Sequence, residues 1–526
     1  MGAEPMPGPP GATAAGAGST PVGLRLGPDD DVAVVTADVA PGDVVAVGPV
    51  TVTAADAIGR GHKIALRTLR PGDPVHKYGQ VIGFATAPIA PGMHVHTQNL
   101  EFRAFARDQH VGVDARPTVP VDAARRRTFD GIVRADGRVA TRNYLGVLSS
   151  VNCSATVAKA IAGHFTRPGV LDDYPGVDGV VALTHASGCG MDAAGDGLAV
   201  LARTLGGYAS HPNLAGVLLV GLGCEVNQVD ALAGSWSLPP GALSVMTIQG
   251  QGGTKATVAE GIDRLGALLP GADQVARRPV PVSNLVLGLQ CGGSDAFSGI
   301  TANPALGVAA DLLVAEGGTV ILGETPEIYG AEHLLTRRAV SADVAERLVE
   351  RIRWWESYTA ANHGSMDNNP SPGNKAGGLT TILEKSLGAV AKAGSTALVG
   401  VCGYAEAVAG PGLVFMDTPG YDPVSVTGMV AGGANVVCFT TGRGSVFGCK
   451  PVPSLKLATT TALYERMGDD MDIDCGVIAT GEASIEEVGQ RIFDALIATA
   501  SGTRTRSEVL GFGDEEFVPW QLGTVM

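Results

Sequence analysis

From about residue 130 onward, short apolar runs alternate with longer stretches of helical period. LGVLSSV leads into SATVAKAIAGHF, and GVVALTH precedes a glycine-rich turn and GDGLAVLARTLGGY. AGVLLVGLG precedes another turn, and LSVMTIQ precedes TKATVAEGIDRLGALL. Few architectures accept this rhythm. An apolar run without polar alternation is a strand buried on both faces, and parallel strands buried in that way need helical crossovers to cover them. The pattern predicts a mainly parallel αβα sheet region over 130–280. It resumes near residue 284 with NLVLGLQC, GTVILGE, TALVGVCG and NVVCFTTG, which predicts a C-terminal α/β domain over 281–526. Within it, SADVAERLVERIRWWESYTAAN reads as a helix with Ser341 as its N-cap.

The earlier part of the chain has a different period. Between 28 and 104 the strands DVAVVTADV, DVVAVGPVTVTA, HKIALRTL, VIGFATAPI and MHVHTQNL are short and punctuated by PGD, PGDP and APGM, the signature of a small all-β domain. Residues 1–27 are rich in Pro, Gly and Ala and are expected to form a disordered tail without the segments of a secretory signal. Residues 105–129, with RPTVPVDAARRRTF, are expected to be a linker. A net charge of −15 and no Lys/Arg stripe interleaved with aromatics argue against nucleic acid as a partner. No apolar run approaches the roughly 18 residues that span a membrane. Eight cysteines in a chain without an export signal are expected to be reduced thiols or metal ligands, in the cytoplasm.

Four of those cysteines follow apolar strands: Cys153 in LSSVNCSAT, Cys189 in THASGCGMD, Cys224 in VGLGCEVNQ and Cys291 in LGLQCGGSD. Ligands of open parallel sheets bind at the carboxyl ends of the strands, so four such thiols line one crevice if their strands are neighbours. The alternative is that each is a small buried hydrophobe suited to a tight turn. Polar groups flank them: His185 before Cys189, Glu225, Asn227 and Gln228 after Cys224, and Ser294 and Asp295 after Cys291. Such groups are costly to bury unpaired, which suggests a hydroxyl-rich ligand. Helix capping is the plainer reading for Ser154 and Asp295.

A second centre is HVH, where His94 and His96 share one face of a strand, with His62 opening another strand of the same unit. Two or three imidazoles suit a divalent cation, and carboxylate or water ligands beside them suit iron(II) or manganese. The competing reading is an exposed pair on an edge strand. Third, NPSPGNKAGG carries Asn374 and Lys375, and TTGRGSVFG carries Arg443 between glycines. Each is either an anion site or a surface turn. No Walker loop and no strand–GxGxxG–acid fingerprint is present, which removes support for a nucleotide cofactor.

DGRVATRNYLGVLSSVNC, THASGCGMD, GLGCEVNQ, LQCGGSDAFSGITANPALG, NNPSPGNKAGGL and FTTGRGSVFG together resemble the altronate/galactarate dehydratase family of sugar-acid hydro-lyases. GHKIAL…KYGQVIGFATAPIAPGMHVHTQNL is similar to its N-terminal SAF-type (β-clip) domain, and the HVHTQN ending is nearer the altronate branch than the galactarate branch. The resemblance implies dehydration of an aldonate such as D-altronate to a 2-keto-3-deoxy sugar acid, assisted by iron(II) or manganese. It implies His62, His94 and His96 at the metal, and Arg443 and Lys375 on the substrate carboxylate. His185, Lys63 and Asp295 are its candidates for proton transfer, Ser294, Asn227 and Gln228 for reading hydroxyls, and Asn374 for binding substrate beside Lys375. The N-terminal tail and the apolar end FVPWQLGTVM depart from the family pattern and leave the substrate open. Galactarate dehydration and a sulfolactate-type sulfo-lyase reaction are the neighbouring alternatives. A hydro-lyase with an Fe–S cluster on three of the four cysteines is another, and a sugar-acid binding protein without turnover is the reading from a different class. A homodimer is the default assembly for a soluble enzyme of this kind.

Overall fold

The computed structural model describes residues 22–105 and 110–523. The α/β architecture expected from the sequence is present, with a small β domain ahead of two parallel sheets. The β domain is built of strands of two to six residues. Gly23–Leu24, Val32–Val35, Lys63–Ala65 and His94–Val95 form one antiparallel sheet in that order. Val44–Val47 pairs with Val50–Thr53, and Gln80–Ala85 lies between Pro74–Lys77 and Leu100–Glu101. Val and Ile at alternate positions close a small core of Val35, Val45, Val47, Ile58 and Ile64. The domain starts earlier than residue 28: Gly23 and Leu24 pair with Val35 and Val34, so part of the 1–27 segment expected to be disordered is strand. The rest of that tail lies outside the described residues.

The described part of the expected linker is laid along the C-terminal domain, with Gly112 N donating to Thr336 O at 3.0 Å and Val121 N to Ala315 O at 2.9 Å. The chain then enters the middle domain through Thr128–Val133 and leaves it through Arg277–Pro281, and these two strands pair antiparallel. Between them lies a four-stranded sheet in the order Gly179–Leu183, Tyr144–Ser149, Leu214–Gly221, Leu243–Thr247, all parallel. Helices Asn152–Phe165 and Thr254–Asp273 cover one face, where Ile161, Phe165 and Leu265 pack on Leu145, Val147 and Leu218.

The C-terminal domain carries a seven-stranded parallel sheet. Its order is Leu398–Cys402, Gly412–Met416, Thr319–Leu322, Val286–Cys291, Val436–Thr441, Ser454–Ala458, Ile473–Asp474. The expected helix is Ala342–Ala361, and Ser341 caps it by accepting Val344 N at 3.3 Å.

In both parallel sheets the first strand is internal. The chain first builds on one side of it and then returns to the other. The reversal falls between Tyr144–Ser149 and Leu214–Gly221 in the smaller sheet, and between Val286–Cys291 and Val436–Thr441 in the larger. The loops leaving two such strands diverge and leave a crevice at the carboxyl ends, the usual place for a ligand in open α/β sheets. The molecule therefore has two such crevices. The β domain is packed on the larger sheet: Val32, Ala65, Leu69, Val75 and Ile82 share one apolar cluster with Leu287, Leu289, Leu306 and Leu457.

Candidate functional site

At the larger reversal, the loop after Cys291 meets the loop after Thr441. Gly442 N and Arg443 N both donate to Gly293 O, at 3.1 and 2.9 Å. The buried Asp295 carboxylate organises this meeting. Its Oδ1 accepts Phe297 N, Ser298 N and Ser298 Oγ at 3.0–3.1 Å, and its Oδ2 accepts Thr459 Oγ1 at 3.1 Å. Burial raises its pKa against those hydrogen bonds. A Cβ on Gly442 would stand 2.2 Å from Asp295 Cγ, so only glycine lets the carboxylate sit there.

A third loop joins from the segment before helix Ile382–Val390. Asn374 Nδ2 donates to Ser294 O at 2.8 Å, and Ser371 and Asn374 cap each other across the short helix Pro372–Ala376. The next turn brings Gly378, at φ +97°, against the β domain. A Cβ there would be 2.4 Å from Gly61 O.

That contact seats the histidines. His62 precedes Lys63–Ala65, His94 opens the paired strand His94–Val95, and His96 follows it, so the antiparallel register puts His62 and His96 beside His94. His62 Nδ1 and His94 Nε2 are 3.0 Å apart, and the three rings lie 4.9–5.4 Å from one another between centroids. One ligand atom from each falls within 4.8 Å of the others. His62 Nε2 faces Ala376 O at 3.4 Å, one residue from Lys375. Burial lowers the pKa of His62, and burial first, with neighbouring positive groups second, brings His94 and His96 to about 4. All three rings are neutral at neutral pH, the state in which imidazole ligates metal. His96 Nδ1 is buried without a hydrogen-bond partner, as an unshared ligand nitrogen would be. The donor set therefore fits a divalent cation.

Beneath the trio, Lys63 is fully buried. Its Nζ donates to Gly378 O at 2.7 Å and to both Glu384 oxygens at 2.9 and 3.1 Å, and Lys77 holds the same carboxylate at 2.8 Å. Burial brings Lys63 down to about 8 against the pull of Glu384. Arg443 is exposed and Lys375 half-buried, and among the described residues neither forms an ion pair. The structure thus gathers His62, His94, His96, Lys63, Ser294, Asp295, Asn374, Lys375 and Arg443 around one crevice.

The other expected site residues belong to the smaller sheet. His185 is nine-tenths buried, with Nε2 2.9 Å from Ser149 O and Nδ1 accepting Ser187 N at 3.3 Å, so both ring nitrogens hold the turn. Asn227 Nδ2 donates to Ser150 O at 2.9 Å, and the Gln228 amide to Glu225 O. The four cysteines do not share one crevice. Cys153, Cys189 and Cys224 leave the smaller sheet, whereas Cys291 ends a strand of the larger one, because the sheets are separately wound.

The sequence reading passed over a buried polar cluster beside Cys291. Lys392 Nζ contacts Cys291 Sγ at 2.7 Å and Glu324 at 2.5 Å, Lys385 pairs with Glu327 at 2.6 Å, and Gln290 bridges Glu324 and Asp422. Cys291, Glu324 and Glu327 also converge within 4.8 Å. Burial lifts Glu324 to about 8 despite Lys392, and lifts Asp422 to about 7 with Glu327 adding. The signal was present in GETPE, directly after the TVIL strand, and in the two lysines of EKSLGAVAKAG, two turns apart on one helical face.

Comparison with known proteins covers nearly the whole chain. Residues 22–103 match the altronate/galactarate dehydratase SAF domain, and 131–273 the second domain of D-galactarate dehydratase/altronate hydrolase. Residues 282–525 match the C-terminal domain of D-galactarate/altronate dehydratase. The chain is 38% identical to the altronate dehydratase of Escherichia coli (strain K12), over 91% of this chain and 95% of that one. It is 37% identical to the galactarate dehydratase (L-threo-forming) of the same strain, over 85% and 87%. It is 34% identical to the (2R)-sulfolactate sulfo-lyase subunit beta of Chromohalobacter salexigens, over 75% and 98%. An SAF domain seated on the strand-end crevice of a parallel sheet, with these relatives, defines a hydro-lyase acting on sugar acids. The chain belongs to the altronate/galactarate dehydratase family.

Proposed function

We propose that this hydro-lyase dehydrates an aldonate of the altronate type to a 2-keto-3-deoxy sugar acid, with iron(II) or manganese held by His62, His94 and His96. The observation that carries the reading is the convergence of three neutral imidazoles beside a crevice bordered by two cations that form no ion pair among the described residues. Removal of the C2 proton next to a carboxylate builds a second negative charge, and a divalent cation there supplies the Lewis acidity that stabilises it. Arg443 holds the substrate carboxylate, bidentately where the approach allows, and Lys375 adds a point charge. Ser294 Oγ, which bonds to no protein group among the described residues, reads a hydroxyl. Lys63, with its pKa near 8 and its carbonyl and carboxylate partners, exchanges a proton at Nζ at lower cost than an exposed lysine. The β domain borders the crevice on one side.

The test is anaerobic turnover. Metal-stripped protein is given iron(II), manganese or magnesium with D-altronate, galactarate and sulfolactate, and 2-keto acid is measured. Metal-dependent keto acid from D-altronate is expected, reduced about 100-fold or more in His94→Ala and His96→Ala. Release of sulfite from sulfolactate instead would move the chain to the sulfo-lyase branch. Turnover indifferent to chelation would remove the metal from the reading.

A further inference from the structure

The smaller sheet has its own reversal crevice, and the hydro-lyase reading leaves it unused. Cysteine is among the most buried residue types. Here Cys291, Cys438, Cys449 and Cys475 are buried and Cys402 is half-buried, whereas Cys153, Cys189 and Cys224 are exposed. All three exposed thiols stand just past the carboxyl ends of three laterally adjacent parallel strands. Cys153 follows the central strand Tyr144–Ser149, and Cys189 and Cys224 follow its two neighbours. The central strand and the Cys224 strand are the pair between which the chain order reverses, where open sheets take their ligands.

The exposure is held in place by a buried polar framework. Asn152 N donates to Ser187 O at 2.9 Å and Asn227 N to Gly188 O at 3.1 Å, so the three cysteine-bearing turns are bonded to one another. Asn227 Nδ2 adds a bond to Ser150 O, and His185 one to Ser149 O. Buried Glu225 takes Ser150 Oγ at 2.6 Å, Leu222 N at 3.2 Å and Gly223 N at 2.6 Å, fixing the Cys224 turn from below. Gly188, at φ +98°, lies so close to the Cys153 turn that a Cβ would be 2.4 Å from Ser150 O. Such a framework is what a ligand shell needs to hold its donors in position.

Two further features suit a ligand at these turns. Cys153 lies in the first turn of the helix Asn152–Phe165, whose N-cap Val151 offers no side-chain bond to the free N–H groups there. Gln249, from the turn after the fourth strand, points its amide at Cys224 Sγ at 3.4 Å, a hydrogen bond of the kind that tunes cluster sulfurs. Among the described residues, three ligand atoms close to within 4.8 Å at the His62 trio and at Cys291–Glu324–Glu327, and these three thiols are not such a group. Three thiols are the donor type that holds an iron–sulfur cluster.

We propose that Cys153, Cys189 and Cys224 hold an iron–sulfur cluster through three thiolates at the carboxyl end of the smaller sheet, leaving one iron for a small ligand. Assembly of a cubane takes two iron(II), two iron(III) and four hydrosulfide ions, with the three thiol protons and the four hydrosulfide protons released to water. The site is independent of the histidine trio, so either reading can fail without the other.

The experiment uses the full chain purified anaerobically, with iron and acid-labile sulfide measured per chain. About four of each are expected for a cubane, with charge-transfer absorption that bleaches in air. Sulfide is lost in the Cys153→Ser/Cys189→Ser/Cys224→Ser triple variant and retained in His94→Ala/His96→Ala. A second readout does not depend on the variants folding. Iodoacetamide followed by peptide mapping should label all three cysteines in stripped wild-type protein and spare them after reconstitution with iron and sulfide. Wild-type protein with no sulfide, zinc or iron bound without sulfide, or equal labelling in both states would each overturn the proposal.

Discussion

Arg443 and Glu384 show how differently two charged residues of one crevice are used. Arg443 is exposed and its guanidinium has no partner among the described residues, so under the proposed function its loss leaves the fold intact and the substrate carboxylate unheld. Arg443→Ala is expected to lower kcat/KM by about 10–100-fold, the worth of a charge-assisted hydrogen bond, with the thermal midpoint unchanged. Steady-state kinetics beside a melting curve checks both halves. Glu384 lies at 0% exposure between Lys63 and Lys77, and its pKa is driven far below the usual carboxylate range by those two ammonium groups, against burial. Glu384→Gln leaves two cations buried without their counter-charge and should destabilise by about 3–5 kcal/mol. Replacing Glu384 and Lys63 together with methionine should recover part of that loss, as denaturant titration of the three proteins would read.

At the scale of elements, the crevice depends on close backbone approach between the β domain and the loop after Pro372–Ala376. Gly378 carries that approach, with φ +97° and Gly61 O in the space a Cβ would take. Gly378→Ala is therefore expected to cost about 1–3 kcal/mol and to displace the His62 turn. Its signature is a weaker affinity for manganese, measured by titration calorimetry, alongside the lowered midpoint. Gly250→Ala serves as the control: the nearest heavy atom to its Cβ is the Thr247 hydroxyl, in the smaller sheet, and it should leave the metal affinity as it is.

Across the whole molecule, acid stability turns on histidines folded in the neutral form. Burial brings His94, His96, His185 and His211 to about 4, from 6.5. Between those values the unfolded chain binds more protons than the folded one, so their contribution to stability is full above pH 6.5 and is lost as pH falls toward 4. Asp422, raised to about 7, acts in the opposite direction, because its folded carboxyl keeps its proton longer. The difference between proteins isolates the imidazoles: metal-free His94→Asn/His96→Asn should lose stability less steeply than metal-free wild type between pH 6.5 and 4. Urea midpoints across that range would show a shallower slope. An equal slope would mean that the trio is already protonated in the fold.

Period and punctuation were enough to determine the β domain, the parallel sheets and the Ser341-capped helix, because burial on both faces leaves a local trace in every strand; the family came from the resemblance of whole motifs. The pairing of His94 with His96 was equally local, since a strand places alternate residues on one face. What only the tertiary structure decided was which strand ends meet. Cys153, Cys189, Cys224 and Cys291 look alike in sequence, yet three lie at one reversal and the fourth is buried at another, beside Lys392 and Glu324. His185, Asn227 and Gln228 have the composition of a site, but their hydrogen bonds are spent on the smaller sheet's own turns. Strand order is set by how the helical crossovers pack, a long-range outcome that no stretch around a single residue records.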